Sequence, residues 1–196
     1  MRSLFSATRD RFAGVRNAAP PPYVNPSQSL ALPGSWGLMG ASAQMSAMGT
    51  NETLFGIVDG TTKAVASVPW QLWQPSPTGD PEKRKRITAH AVLDFLAKPN
   101  PFMSWRDFIK IAQQHADLVG EMWWVIHYSS GRVRMPIEMW PVRPDRIRPV
   151  AGKLKFIEGY VYTGPMGERI PLGLDEVVFA KSPNPDDIYR GMGPVQ

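Results

Sequence analysis

The chain has 196 residues, 43% hydrophobic and 20% charged, enough apolar material for one domain with a real core and too much for wholesale disorder. It has no cysteine, which excludes disulfides, thiolate catalysis and cysteine-based zinc sites. A net charge of +5 and a pI near 9.6 favour contact with polyanions without singling out nucleic acid.

The 20 prolines are about twice the usual ~5% share, so short elements and many connections are expected. MRSLFSATRDRF at the N-terminus lacks the unbroken apolar stretch of a secretory signal. No run of about 18 apolar residues occurs, so no membrane-spanning helix is expected. A soluble protein made inside a cell fits both observations. Residues 1–50 read as an arm. Leu4, Phe5, Phe12 and Val15 are spaced for a short amphipathic helix, and a Pro-, Gly-, Ser- and Ala-rich stretch follows, with Trp36 and Met39 as apolar handles. Such a segment is either a loose tail or a docking arm.

Asn51 is placed to cap a helix in which Leu54, Phe55, Val58, Thr62, Val65 and Ala66 recur at helical spacing. Val68 precedes Pro69 and should end it. WQLW, with Trp70 and Leu72 alternating against Gln71 and Trp73, predicts a short strand. QPSPTGDPEKRKR predicts a turn-rich loop, and AHAVLDFLAKPNP a short helix stopped before Pro99. Ser104 and Asp107 form a capping-box variant, and Trp105, Phe108, Ile109, Ala112, Ala116 and Val119 line one face of the helix they open. Gly120 stands where a helix-ending glycine belongs. Only Gly120 and Glu121 separate that helix from MWWVIHY. In a strand, Met122, Trp124, Ile126 and Tyr128 face one way and Trp123, Val125 and His127 the other. Both faces are heavy, which predicts a central strand covered on both sides.

SSGR then reads as a turn, and VRMPIEMWPV and DRIRPV as extended pieces. KLKFIEGYVYTGP alternates through Leu154 and Phe156 and, after a slip, Tyr160 and Tyr162. Val177 to Ala180 forms a continuous strand. Helices first and short strands afterwards predict an α+β fold.

The residues that carry chemistry are sparse. No nucleophile-elbow, phosphate-loop, zincin or dinucleotide motif occurs, and Gly191-Met192-Gly193 lacks the context of a nucleotide loop. His90 reads as solvated, His115 as a satisfied packing residue at the edge of a helix face, and His127 as half-buried. Asp186 and Asp187 in NPDDIY can be imagined as a magnesium pair, but adjacent aspartates after Asn-Pro are more often turn residues. Lys83, Arg84, Lys85 and Arg86 form a basic loop, either solvated or on a phosphate track, without the aromatic interleaving of a single-strand platform. Arg143, Arg146 and Arg148 form a second cluster, with Arg146 and Arg148 on one strand face. Salt bridges within the domain or between subunits are the preferred reading there.

LAKPNPFMSWRDFIKIAQQHADLVGEMWWVIHYSSGRVRMPIEMWPVRPDRIRPV resembles the tailed-bacteriophage portal proteins of the HK97-like family. The matching positions are Pro99-Asn100-Pro101, Met103-Ser104, Leu118 to Trp123, Gly131, Pro136, Met139-Trp140-Pro141 and Arg143 to Ile147. GYVYTG resembles the family's tyrosine strand, LDEVVFAKSPNPDDIYRGMGPV its Gly-x-Gly passage, and VDGTTKAVASVPWQLW its first helix and strand. Glu121 and Trp123 replace the commoner Asn and Tyr, and Ala180 takes the place of the usual histidine.

The resemblance implies residues 51–196 as the first part of a portal wing domain, with stem, clip, tunnel loop and crown downstream of Gln196. It implies a structural protein rather than an enzyme, without catalytic, cofactor-binding or metal residues. Full-length copies would form a dodecameric ring at one capsid vertex of a virion assembled in the bacterial cytoplasm. Double-stranded DNA would pass through the ring during packaging and ejection. Its partners would be the major capsid and scaffold proteins, the terminase large subunit and the head–tail connector, with no membrane. Two rival readings remain: a nucleic-acid-binding module using the basic loops, and a metal-dependent hydrolase using Asp186 and Asp187.

Overall fold

The computed structural model describes residues 40–130, 132–152 and 155–195. Helices α1 (Ala41–Thr50) and α2 (Glu52–Ser67) come first, then strands β1 (Leu72–Gln74) and β2 (Lys85–Ile87), then helices α3 (Ala91–Ala97) and α4 (Trp105–Val119). Six strands follow: β3 (Glu121–Tyr128), β4 (Pro136–Val142), β5 (Ile147–Ala151), β6 (Ile157–Thr163), β7 (Arg169–Leu172) and β8 (Val177–Lys181). They form two three-stranded antiparallel sheets, ordered β4-β3-β8 and β5-β6-β7, beside the small β1-β2 hairpin. This is the expected α+β fold.

Local chemistry sets the helix ends. The Asn51 side chain accepts the Leu54 N–H at 3.0 Å, and α2 stops one residue short of Val68, as the following proline demands. Ser104 caps α4 by accepting the Asp107 N–H, while its hydroxyl donates to the Asp107 carboxylate at 2.6 Å. Gly120, at φ +77°, closes α4 in the left-handed region that a side chain resists.

Strand β3 is the spine. Trp123 and Val125 point into a core with Ile147, Tyr160, Leu172 and Val177, so one face of β4-β3-β8 packs on β5-β6-β7. Trp124 and Ile126 point the other way, onto Phe108 and Ile109 of α4 and beside Met139 of β4. The two-faced burial read from MWWVIHY is therefore what the structure has. The slip expected in KLKFIEGYVYT is a bulge: Val150 pairs with Gly159, while Ala151 pairs with Ile157.

Other expectations change. Of the six residues expected on one α2 face, the i, i+4 stripe Leu54, Val58, Thr62 and Ala66 is covered, while Phe55 and Val65 lie off it and are exposed. Trp70 precedes β1 and instead sets its ring edge-on to Trp105 at 4.8 Å. The basic end of the anticipated loop is strand β2, drawn into register by β1. Arg146 ends a 3-10 turn (Pro144–Arg146), so it shares no strand face with Arg148. Within the expected arm, Ala41–Thr50 is helical, with Met45 and Met48 against Val58, Leu118 and Val119. Leu4, Phe5, Phe12, Val15, Trp36, Met39 and Leu154 lie outside the described residues.

Candidate functional site: the corner between α4 and β3

A glycine followed by a charged residue makes the corner from α4 into β3. Glu121 opens the strand with its side chain fully buried. A carboxylate there needs donors, because burying an unpaired charge is prohibitively costly. Three groups supply them. Arg190 Nε lies 2.8 Å from Glu121 Oε1, the Gly191 N–H donates to the same oxygen at 2.6 Å, and Trp123 Nε1 donates to Oε2 at 2.8 Å. Burial pushes the Glu121 carboxyl above its ordinary value, and the Arg190 charge, then the Gly191, Trp123 and Arg190 hydrogen bonds, pull against it.

The partners come from the segment after β8. The Ser182 N–H donates to the Gly120 carbonyl at 2.8 Å as the chain leaves the strand. Asn184 Oδ1 then accepts the N–H groups of Asp186 (2.9 Å) and Asp187 (3.2 Å), and Asp187 Oδ1 accepts that of Tyr189 (2.8 Å). These turns aim Arg190 back at β3. Its two remaining nitrogens donate to the carbonyls of Ile147 and Pro144, each at 3.0 Å, so one guanidinium ties three segments together. Lys181 Nζ spans the turn to the carbonyls of Ile188 (2.5 Å) and Arg190 (3.2 Å).

The glycines make the crossing possible. A Cβ on Gly120 would lie 2.3 Å from the Met192 carbonyl group, one on Gly191 would lie 2.2 Å from the Gly120 oxygen, and one on Gly193 would lie 2.6 Å from the Leu118 oxygen. Two backbones cross where no side chain fits. The arrangement holds; it presents no exposed reacting atom, since its carboxylate is shut from solvent and committed to three donors.

Residues 52–196 match the family model described as phage portal protein. The chain belongs to the phage portal protein family. Solved structures with the same fold include a chain in the neck of an empty gene transfer agent particle computed with C6 symmetry, at TM-score 0.68 and 25% identity over 82% of this chain. A neck chain of the native particle computed with C12 symmetry matches at TM-score 0.64 and 24% identity, and one in the native virion at 0.64 and 22%. This chain spans 41%, 40% and 40% of the length of those three. No curated protein sequence matches it.

In this portal chain two of the three departures from the family pattern, Glu121 and Trp123, are hydrogen-bonded to one another, and both serve the corner. Nothing in the residues around Glu121 points to Arg190 as its partner. The available signal was a lone carboxylate at the head of a nearly solid apolar strand, which demands a cation from elsewhere in the chain. Gly120 and the Gly191–Gly193 pair, set aside as a motif, meet through their backbones.

The remaining candidates fall elsewhere. Asp187 accepts the Tyr189 N–H within a turn, and no group of three or more metal-ligating side chains occurs among the described residues. His90 caps α3, its Nδ1 accepting the Val92 N–H at 3.1 Å, and His127 is half-buried with Nδ1 3.9 Å from Glu138. Arg143 forks onto Asp145 at 2.9 and 3.0 Å, an intradomain salt bridge of the kind expected for its cluster. No helix among the described residues is long and apolar enough to cross a membrane.

His115 departs from the satisfied packing role. It is 5% exposed, and its Nδ1 meets no hydrogen-bond partner among the described residues. Burial first, then repulsion from Arg143, lowers its pKa from 6.5 to about 4, against a smaller opposing pull from Asp145. Because the unfolded chain takes up this proton at higher pH than the folded one, the associated stability is present above pH 6.5 and is lost as pH falls towards about 4. We expect wild type to lose up to about 3 kcal/mol more than His115→Gln across that window, read by urea unfolding at pH 7 and pH 4.5. Equal losses would contradict the assignment.

Proposed function

We propose that the chain is the leading part of a portal subunit: a structural piece of the ring at one capsid vertex, without catalytic turnover. In this reading full-length copies assemble as a dodecamer in the virion, built in the bacterial cytoplasm. Double-stranded DNA passes through the ring on packaging and ejection, scaffold and major capsid proteins grip its rim, and the terminase large subunit and head–tail connector dock on it. Residues 1–39 serve as an arm towards a neighbouring subunit, and helix α1 together with residues 51–196 as the first part of the wing.

The observation that supports this most is the family match over 52–196, carried on a fold whose likeness includes the neck of a gene transfer agent particle. The site agrees with it physically. A subunit that must keep its shape under load benefits from a helix and strand locked at their corner, and the polar groups at that corner are spent on one another.

Immunogold labelling with an antibody to the 196-residue chain tests the proposal on particles from cells that carry its gene. We expect label at a single vertex of each capsid, and loss of that label when residues 1–39, which precede helix α1, are deleted. Label spread over the shell, or particles without label, would contradict the portal role; vertex label that survives the deletion would remove the arm.

A further inference from the structure

The β1-β2 hairpin carries a feature that a ring scaffold does not require. Antiparallel pairing sets Trp73 opposite Arg86 and Gln74 opposite Lys85. With side chains alternating, Trp73, Arg84 and Arg86 share one face, and the guanidinium of Arg84 sits over the Trp73 ring at 4.9 Å. The aromatic interleaving absent from the linear reading of EKRKR is supplied across the strands. Arg84, Lys85 and Arg86 are exposed and carry no ion pair among the described residues; Lys83 alone reaches a carboxylate, Asp80, at 3.5 Å. The hairpin is steadied at its base by the edge-on contact between Trp70 and Trp105.

We propose that this face of the hairpin binds the phosphate backbone of duplex DNA, independently of sequence. Two unpaired arginines on one face, with Lys85 between them on the other, are a strong local positive field, and the densest complementary partner is a duplex, with one negative charge per about 1.7 Å of axis. Cation–π contact holds the Arg84 fork in place while leaving its N–H donors for phosphate oxygens. The ring beneath is covered by that fork, which disfavours a base stacked on it, so backbone contact is the fit. No side chain on this face is an amide that reads base edges, since Gln74 lies on the opposite face.

The test is fluorescence anisotropy of a labelled random-sequence 20-base-pair duplex with the whole 196-residue chain, titrated between 50 and 200 mM salt. Two phosphate contacts contribute about 1.8 to the log–log salt slope, so Arg84→Gln with Arg86→Gln should flatten it by about that much and remove about a tenfold share of the salt-dependent loss. Arg106→Gln with Arg132→Gln, exposed arginines elsewhere, makes the same change in net charge and should leave the slope unaltered. Circular dichroism checks that both variants remain folded. The proposal is overturned if wild type fails to bind at 50 mM salt, if the hairpin variant keeps the wild-type slope, or if the control pair flattens it equally. It is also overturned if polyglutamate of matched charge competes as well as DNA, which would make the face a site for an acidic protein.

Discussion

Trp123→Ala is expected to lower stability by about 3–5 kcal/mol, enough to consume much of a domain's margin. The ring is fully buried, stacks on Phe179 with centroids 3.6 Å apart, and meets Tyr160 edge-on at 5.5 Å. Truncation leaves a cavity between the two sheets and strips Glu121 Oε2 of its donor. Trp123→Phe separates these losses: it keeps most of the apolar contact, so its smaller cost, about 1–3 kcal/mol, reports the missing N–H on a buried carboxylate. Trp73→Ala, at a position 39% exposed on the β1-β2 hairpin, should change stability by less than about 1 kcal/mol. Urea unfolding followed by circular dichroism checks all three, with an unchanged denaturant slope if only the native state is affected. Similar costs at Trp123 and Trp73 would contradict the placement of the spine.

Arg190→Met is expected to cost about 3–5 kcal/mol, although the side chain makes no contribution to an apolar core. Its removal leaves the Glu121 carboxylate buried with only two neutral donors and frees the Pro144 and Ile147 carbonyls. The deficit should shrink as pH is lowered. Without the arginine the Glu121 carboxyl rises further, and a group raised in the folded state stabilises below its unfolded pKa and loses that contribution as pH climbs through the folded one. Adding Glu121→Gln to Arg190→Met should recover part of the loss, because the two positions act as one unit. A double variant as costly as the two single losses summed would show that the residues act independently.

Much of the architecture was legible because period and punctuation were strong. Asn51, Ser104, Gly120 and the Val68-Pro69 pair mark helix ends by chemistry that operates within a few residues, and MWWVIHY is too heavy on both faces to be anything but a covered strand. Contacts between distant segments were not legible. Arg190 meets Glu121 across 69 positions, and the glycines of the crossing act through the backbone of another segment, so no local pattern announces either. Lys85 and Arg86 end a charged, turn-rich stretch that locally favours a loop; the strand conformation of β2 comes from pairing with LWQ. His115 looked satisfied because periodicity places a residue on a face without saying whether its polar atoms find partners.

Native-state hydrogen exchange tests the locked corner most directly. The Gly191 amide donates to Glu121, whereas the amides of Trp123 to Val125 lie within the sheet. If the returning segment and the spine are one cooperative unit, these amides exchange with similar opening free energies, close to that of global unfolding. Exchange of Gly191 orders of magnitude faster than that of β3 would mean that the segment opens by itself, and the rigid corner would be contradicted.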